Sequence, residues 1–203
     1  MAKLIARIVS VLLHPLIMPV YGLLVIFQTN GDVMLQIPFQ AKRVLLAVVA
    51  INTLVLPILV LPVFRKMNII KSLQMESHRE RILPILFTLI PYIFSFYFLM
   101  RLPILSEISL FMLGATLAVL AALVISIWWK ISIHMIGIGG LVGLTLALTY
   151  NIQYSELPYL ILSIMLSGIV AWARLHLNTH SPSQVYAGFG IGVTLVSISI
   201  IMF

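Results

Sequence analysis

Seven apolar runs of near bilayer-crossing length follow one another along this chain, at residues 8–28, 44–64, 84–100, 104–129, 135–151, 157–173 and 185–203. A helix needs about 20 mainly apolar residues to traverse the hydrocarbon. Backbone polar groups in lipid must also find their partners inside the protein. The expected fold is an all-α integral membrane protein, one helical bundle of six or seven transmembrane helices, with residues 1–203 as a single domain. The third and fifth runs are short. The first carries His14, Pro15 and Pro19, so a kink or break is expected there. Residues 29–43 are expected to form a polar loop.

Composition agrees with a lipid solvent. The 203 residues are 62% hydrophobic and 8% charged, against roughly a quarter charged in a soluble domain. Mean hydropathy is +1.18. Lys3 and Arg7 ahead of the first apolar run look like a signal peptide, but no small-residue cleavage pattern follows. A retained span is expected. The chain has no cysteine, which excludes disulfides, thiolate catalysis and Cys-ligated metal. The net charge of +7 has no basic tail to present it. It suits an anionic lipid bilayer or a phosphorylated ligand, and no nucleic acid. Gly139 with Gly143, and Gly188 with Gly192, are GxxxG pairs that let helix backbones approach closely.

Polar residues concentrate in three stretches: KSLQMESHRERILP (Lys71 to Pro84), WKISIH (Trp129 to His134) and RLHLNTHSPSQ (Arg174 to Gln184). Two spans separate each stretch from the next, so all three fall on one face of the membrane if spans three to six each cross. Together they supply Lys71, Arg79, Arg81, Lys130 and Arg174, with His78, His134, His176 and His180, against only Glu76 and Glu80. Desolvated cations need anionic partners. With so few carboxylates, a phosphate ligand fits, since arginine forks match its oxygens and lysine adds point charge. The competing account is a set of positive-inside loops touching lipid headgroups.

The third stretch has its own local logic. Ser181-Pro182-Ser183-Gln184 has the capping-box pattern, with proline at the first helical position. A helix starting there would place His180 beside an N-terminus that attracts anions. His176 and His180 are also spaced i, i+4, as in zinc hydrolases, and His134 would be a third ligand. No glutamate base lies between them. His14 is expected to bond a carbonyl freed by the prolines, and His78 to be a solvated loop residue. The three tryptophans, Trp128, Trp129 and Trp172, are expected to be interfacial anchors.

The three stretches resemble the signature of the type 2 phosphatidic acid phosphatase superfamily, the membrane relatives of vanadium haloperoxidases. Its motifs read K-x6-R-P, then P-S-G-H, then S-R-x5-H-x3-D. Here the third is Ala173-Arg174, five residues, His180, three residues, Gln184, and the second is Ile131-Ser132-Ile133-His134. In the first, Arg81 lies three before Pro84, Gln74 lies seven before Arg81, and Lys71 and Arg79 are nearby alternatives. The resemblance covers residues 71–192. It implies a metal-independent, cofactor-free phosphatase acting on a phosphorylated lipid in the bilayer, in the bacterial cytoplasmic membrane. Phosphatidic acid, phosphatidylglycerol phosphate, an isoprenyl diphosphate and a phosphorylated glycolipid are the substrate candidates. His180 would be the nucleophile that becomes phosphohistidine, and His134 the acid for the leaving oxygen. Gln184 would orient His180. Arg174, Arg81 (or Arg79 or Lys71), Ser132 and Lys130 would hold the phosphate.

Four positions depart from the family pattern. Gln184 replaces the aspartate that orients the nucleophilic histidine. Its carbonyl still accepts a ring N–H, but it carries no charge to stabilise an imidazolium. Removing the charge of such an aspartate costs about 10⁴ in turnover in serine proteases. Ala173 replaces a serine, and Ile131 and Ile133 replace proline and glycine. These changes also admit a phospholipid-binding or lipid-transport protein on the same scaffold.

Overall fold

The computed structural model describes residues 1–28, 37–72, 75, 77–102, 106–152 and 156–202. Among them every regular element is helical, and seven helical segments are long and apolar enough to cross a membrane. The protein is an all-α membrane bundle of seven spans. They run Ala2–Gln28, Phe39–Lys66, His78–Met100, Ser106–Ser126, Ile133–Ile152, Leu157–His176 and Pro182–Ile201.

The first span breaks where its prolines require. One helix ends at Leu12, a 3₁₀ turn covers Pro15–Ile17, and a second helix starts at Met18. His14 caps the turn, its Nδ1 accepting the Leu16 N–H at 3.4 Å. The expected carbonyl partner is thus replaced by an amide donor, because the break frees N–H groups as well as carbonyls. The second span is interrupted at the same level by a π-helical stretch, Ile51–Val55. There Thr53 Oγ1 donates to Leu16 O of the first span at 3.3 Å. Of the loop expected at 29–43, residues 29–36 lie outside the described set, and Phe39 onward is already helix.

The third span is not short. It begins at His78 and carries polar residues through its first turn, with Ser77 Oγ accepting the Arg79 N–H at 3.3 Å. His78 is not a free loop residue either. Its Nδ1 meets Ser126 O at 3.1 Å and ties the start of the third span to the end of the fourth. Trp128, Trp129 and Trp172 are exposed beside the polar stretches, as anchors at a membrane boundary should be.

The fifth span is the most enclosed of the seven, and the seventh packs along it through glycine. A Cβ on Gly192 would lie 2.2 Å from Ile136 O, and one on Gly139 would lie 2.5 Å from Phe189 O. Both clashes are with backbone, which cannot swing aside. Gly192→Ala should therefore force the two helices apart and lower stability by about 1–3 kcal/mol, measurable as earlier unfolding in a detergent–denaturant titration. This seam decides where the site lies, since it brings the starts of the fifth and seventh spans together. The Ser132 N–H reaches Gln184 O at 3.4 Å.

Candidate functional site

The sixth span ends in a reversal that carries His180 back toward the bundle. Asn178 adopts φ 52°, the left-handed position that helix ends favour and asparagine tolerates. The Thr179 N–H and Oγ1 both return to Arg174 O, at 3.3 and 3.1 Å. The seventh helix then starts at Pro182 with the expected capping box between Ser181 and Gln184.

Gln184 Oε1 accepts the Ser181 N–H at 3.1 Å and also lies 3.0 Å from His180 Nδ1. An amide N–H can only donate, so the atom it meets is the carbonyl oxygen of Gln184. His180 must then carry its proton on Nδ1, and Nε2 keeps the lone pair. The capping box that starts the helix thus also sets the histidine's tautomer.

His180, His134, Arg81 and Arg174 all line one cavity of about 660 Å³. Arg81 and Arg174 are each only 7% exposed. Arg81 Nε donates to Met75 O at 3.0 Å and Nη1 to Ile131 O at 3.2 Å, which fixes its guanidinium between the first and second polar stretches. Arg174 Nη2 donates to Ser10 Oγ, and Arg174 Nε is buried with no partner among the described residues. The two arginine charges are close enough to act on each other. Neither has a carboxylate partner among the described residues. A buried, unneutralised cation pair of this kind is unfavourable by itself and is relieved by an anion.

His180 sits outside the spans and feels this field. Its pKa is lowered to about 4, first by burial and then by the Arg81 charge, with Lys130 and Arg174 acting in the same direction. The hydrogen bond to Gln184 opposes the shift. At neutral pH the ring is uncharged and its Nε2 is available as a nucleophile.

The cavity continues away from this polar end as an apolar channel. On the third span its wall runs from Arg81 past Pro84, Ile85 and Thr88 to Tyr92, about 16 Å of helix at 1.5 Å per residue. On the fourth it runs from Ala122 to Phe111. That is about half of a 30 Å hydrocarbon core, one leaflet deep. Arg7 and Val11 border it on one side, Pro57 and Leu61 on another. The half-helices bearing them, Ala2–Leu12 and Leu56–Lys66, pack on the sixth and third spans respectively.

Not every residue singled out in the sequence reaches the cavity. Lys71 and Arg79 are exposed and do not line it, so of the first stretch's basic residues only Arg81 enters the site. Helical geometry explains this, because Arg79 and Arg81 lie on different faces of one turn. Ser132 is fully buried and does not line the cavity, its Oγ without a partner among the described residues. Lys130 is half-buried and acts on His180 through its charge. Glu80 accepts the Lys71 N–H at 3.3 Å and does not line the cavity. Gln74 and Glu76 lie outside the described residues. The metal arrangement does not assemble: His176 is exposed and stacks on Trp172, with ring centroids 5.2 Å apart. No three His, Asp or Glu among the described residues group closely enough to hold a metal.

The structure adds residues that the three stretches omit. Arg7, Ser10 and His14 of the first span line the polar end, and the His14 ring stands edge-on to His134 with centroids 5.1 Å apart. The signal was present in part: Arg7 and Ser10 are spaced i, i+3 and share one face of the first helix, whereas His14 lies beyond its end at Leu12 and is brought in by the proline break. No family model, curated protein or solved structure matches the chain.

Proposed function

We propose that the protein is a metal-independent phosphatase, related to the type 2 phosphatidic acid phosphatases, that removes a phosphate from a membrane lipid. One observation carries the reading. Two buried arginines without carboxylate partners among the described residues face an oriented, uncharged histidine at the mouth of an apolar channel one leaflet deep. A phosphate with a lipid tail satisfies both halves, its oxygens on the guanidinium forks and its chain in the channel, entering from the bilayer. In a bacterial cell a helical bundle of this kind would belong in the cytoplasmic membrane, since outer-membrane proteins are barrels.

The chemistry follows from the positions. His180 Nε2 attacks phosphorus; the P–N bond forms as the bond from phosphorus to the lipid oxygen breaks. The leaving oxygen takes a proton from His134, whose Nε2–H is held by Ser10 O at 3.1 Å, so Nδ1 is the nitrogen that gains and gives the proton. Water then attacks the phosphohistidine while His134 takes a proton from it. The P–N bond breaks, and inorganic phosphate leaves. Arg81 and Arg174 stabilise the charge on the transferring oxygens, the main catalytic requirement of phosphoryl transfer. Gln184 holds the Nδ1 proton of His180 without adding charge, which predicts a slow enzyme.

Phosphate release by purified protein from a panel of lipid mono- and diphosphates tests the reading, with chelator present throughout. Release that resists the chelator and rises about tenfold or more in Gln184→Asp is the expected result, as a carboxylate would stabilise the charge that develops on His180. No release from any lipid, with phospholipid binding retained, would assign the site to a binding or transport protein.

A further inference from the structure

All three polar stretches lie at or beyond Lys71, yet two of the groups they supply are held by the first span. In an uninterrupted helix the Ser10 carbonyl would accept the N–H of His14. Pro15 prevents this, because the residue before a proline is pushed out of the helical region. His14 is extended, at φ −70° and ψ 139°, and the helix ends at Leu12. Ser10 O is thereby released from its intrahelical partner and meets His134 Nε2 at 3.1 Å. The side chain of the same residue is also fully used. Ser10 Oγ donates to Ala6 O at 2.6 Å and accepts from Arg174 Nη2, and one proton with two lone pairs allows both.

We propose that the proline break in the first span is a built part of the site, with Ser10 as the positioning residue that fixes His134 through its carbonyl and Arg174 through its hydroxyl. The carbonyl accepts only from a protonated Nε2, so it selects the His134 tautomer whose Nδ1 is free to exchange a proton. The hydroxyl pins one arm of the Arg174 fork and so fixes the guanidinium where Arg174 lines the cavity. The first span therefore completes a site that residues 71–192 leave unfinished. Proton donation by His134 and phosphate binding by Arg174 rest on the phosphatase reading.

The test uses the full-length protein in detergent, with Ser10→Ala, Ser10→Thr, Pro15→Ala, Arg174→Ala and the double variant Ser10→Ala/Arg174→Ala. Ser10→Ala removes a hydrogen bond to a charged group and should lower kcat/KM for the hydrolysed lipid about 10- to 100-fold. Ser10→Thr, which keeps the hydroxyl, should restore it to within about threefold. In the Arg174→Ala background, Ser10→Ala should cost nothing further, because the group it positions is gone. Pro15→Ala lets the helix continue, so the His14 N–H competes for Ser10 O. Nitrogen-15 NMR of the histidines should then show His134 leaving the Nε2–H form, with kcat reduced and KM nearly unchanged.

Ser10→Ala activity equal to wild type, a further full loss in the double variant, or an unchanged His134 tautomer in Pro15→Ala would each overturn the assignment while phosphatase activity stands. If wild type releases no phosphate, the phosphatase reading fails separately. Inorganic phosphate binding by calorimetry then decides the role of Ser10. Weaker binding in Ser10→Ala, restored in Ser10→Thr, sustains it, and equal binding refutes it. Wild type that binds no phosphate removes both.

Discussion

His180→Ala should lower phosphate release from the hydrolysed lipid by about 10³-fold or more, since it removes the atom that takes the phosphoryl group. The cavity and both arginines would remain, so lipid phosphate binding should persist while turnover vanishes. Single-turnover assays would separate the two, and wild type should show labelled phosphohistidine that the variant lacks. A variant that retained wild-type turnover would exclude His180 as the nucleophile. The pH profile gives an independent reading of the same residue. Its pKa is lowered to about 4 by burial and by the Arg81 charge, and only the uncharged ring attacks. Lowering the pH protonates Nε2, so the acid limb of kcat/KM for the free enzyme should fall through about pH 4 instead of about 6.5, the ordinary histidine value, while a separate alkaline limb reports loss of the proton that His134 must donate. In Gln184→Asp a carboxylate beside Nδ1 favours the imidazolium, and the acid limb should move upward. An acid limb at the ordinary histidine position in wild type would show that His180 does not sit in the positive field of Arg81, Lys130 and Arg174.

The second large effect concerns the arginines. Arg174→Ala and Arg81→Ala should each reduce turnover about 10²- to 10³-fold, the range found when one preorganised donor to a developing oxyanion is removed. The two should differ in what else they cost. Arg81 donates to the Met75 and Ile131 carbonyls, so its loss strands two acceptors and should also lower the unfolding midpoint. Lysine at either position keeps the charge and loses the fork, and should recover only part of the activity. Lys71→Ala and Arg79→Ala, whose side chains are exposed outside the cavity, should stay within about threefold of wild type. If instead those exposed residues proved as sensitive as Arg81, the anion would have to bind outside the cavity. Steady-state kinetics on the lipid identified by the release panel, with thermal unfolding in the same detergent, measures all of these.

The sequence by itself determined the solvent and the class of fold, because apolar runs of bilayer length leave the backbone no alternative to helices. It also determined the most local part of the site. Ser181 to Gln184 encode a helix start within four residues, and the hydrogen bonds that orient His180 are made by that same stretch. The break at Pro15 was equally legible, since proline acts on its own neighbours. What the break is for was not legible. Ser10 bonds His134 and Arg174 across 124 and 164 residues of chain, and only the packing of the first span against the fifth and sixth brings them together. The choice among Lys71, Arg79 and Arg81 likewise waited for tertiary structure, because which side of a helix faces the bundle depends on its neighbours. A motif records which chemical groups are available. The lone pair left on a histidine, and the arginine left without a counter-ion, depend on partners drawn from the whole fold.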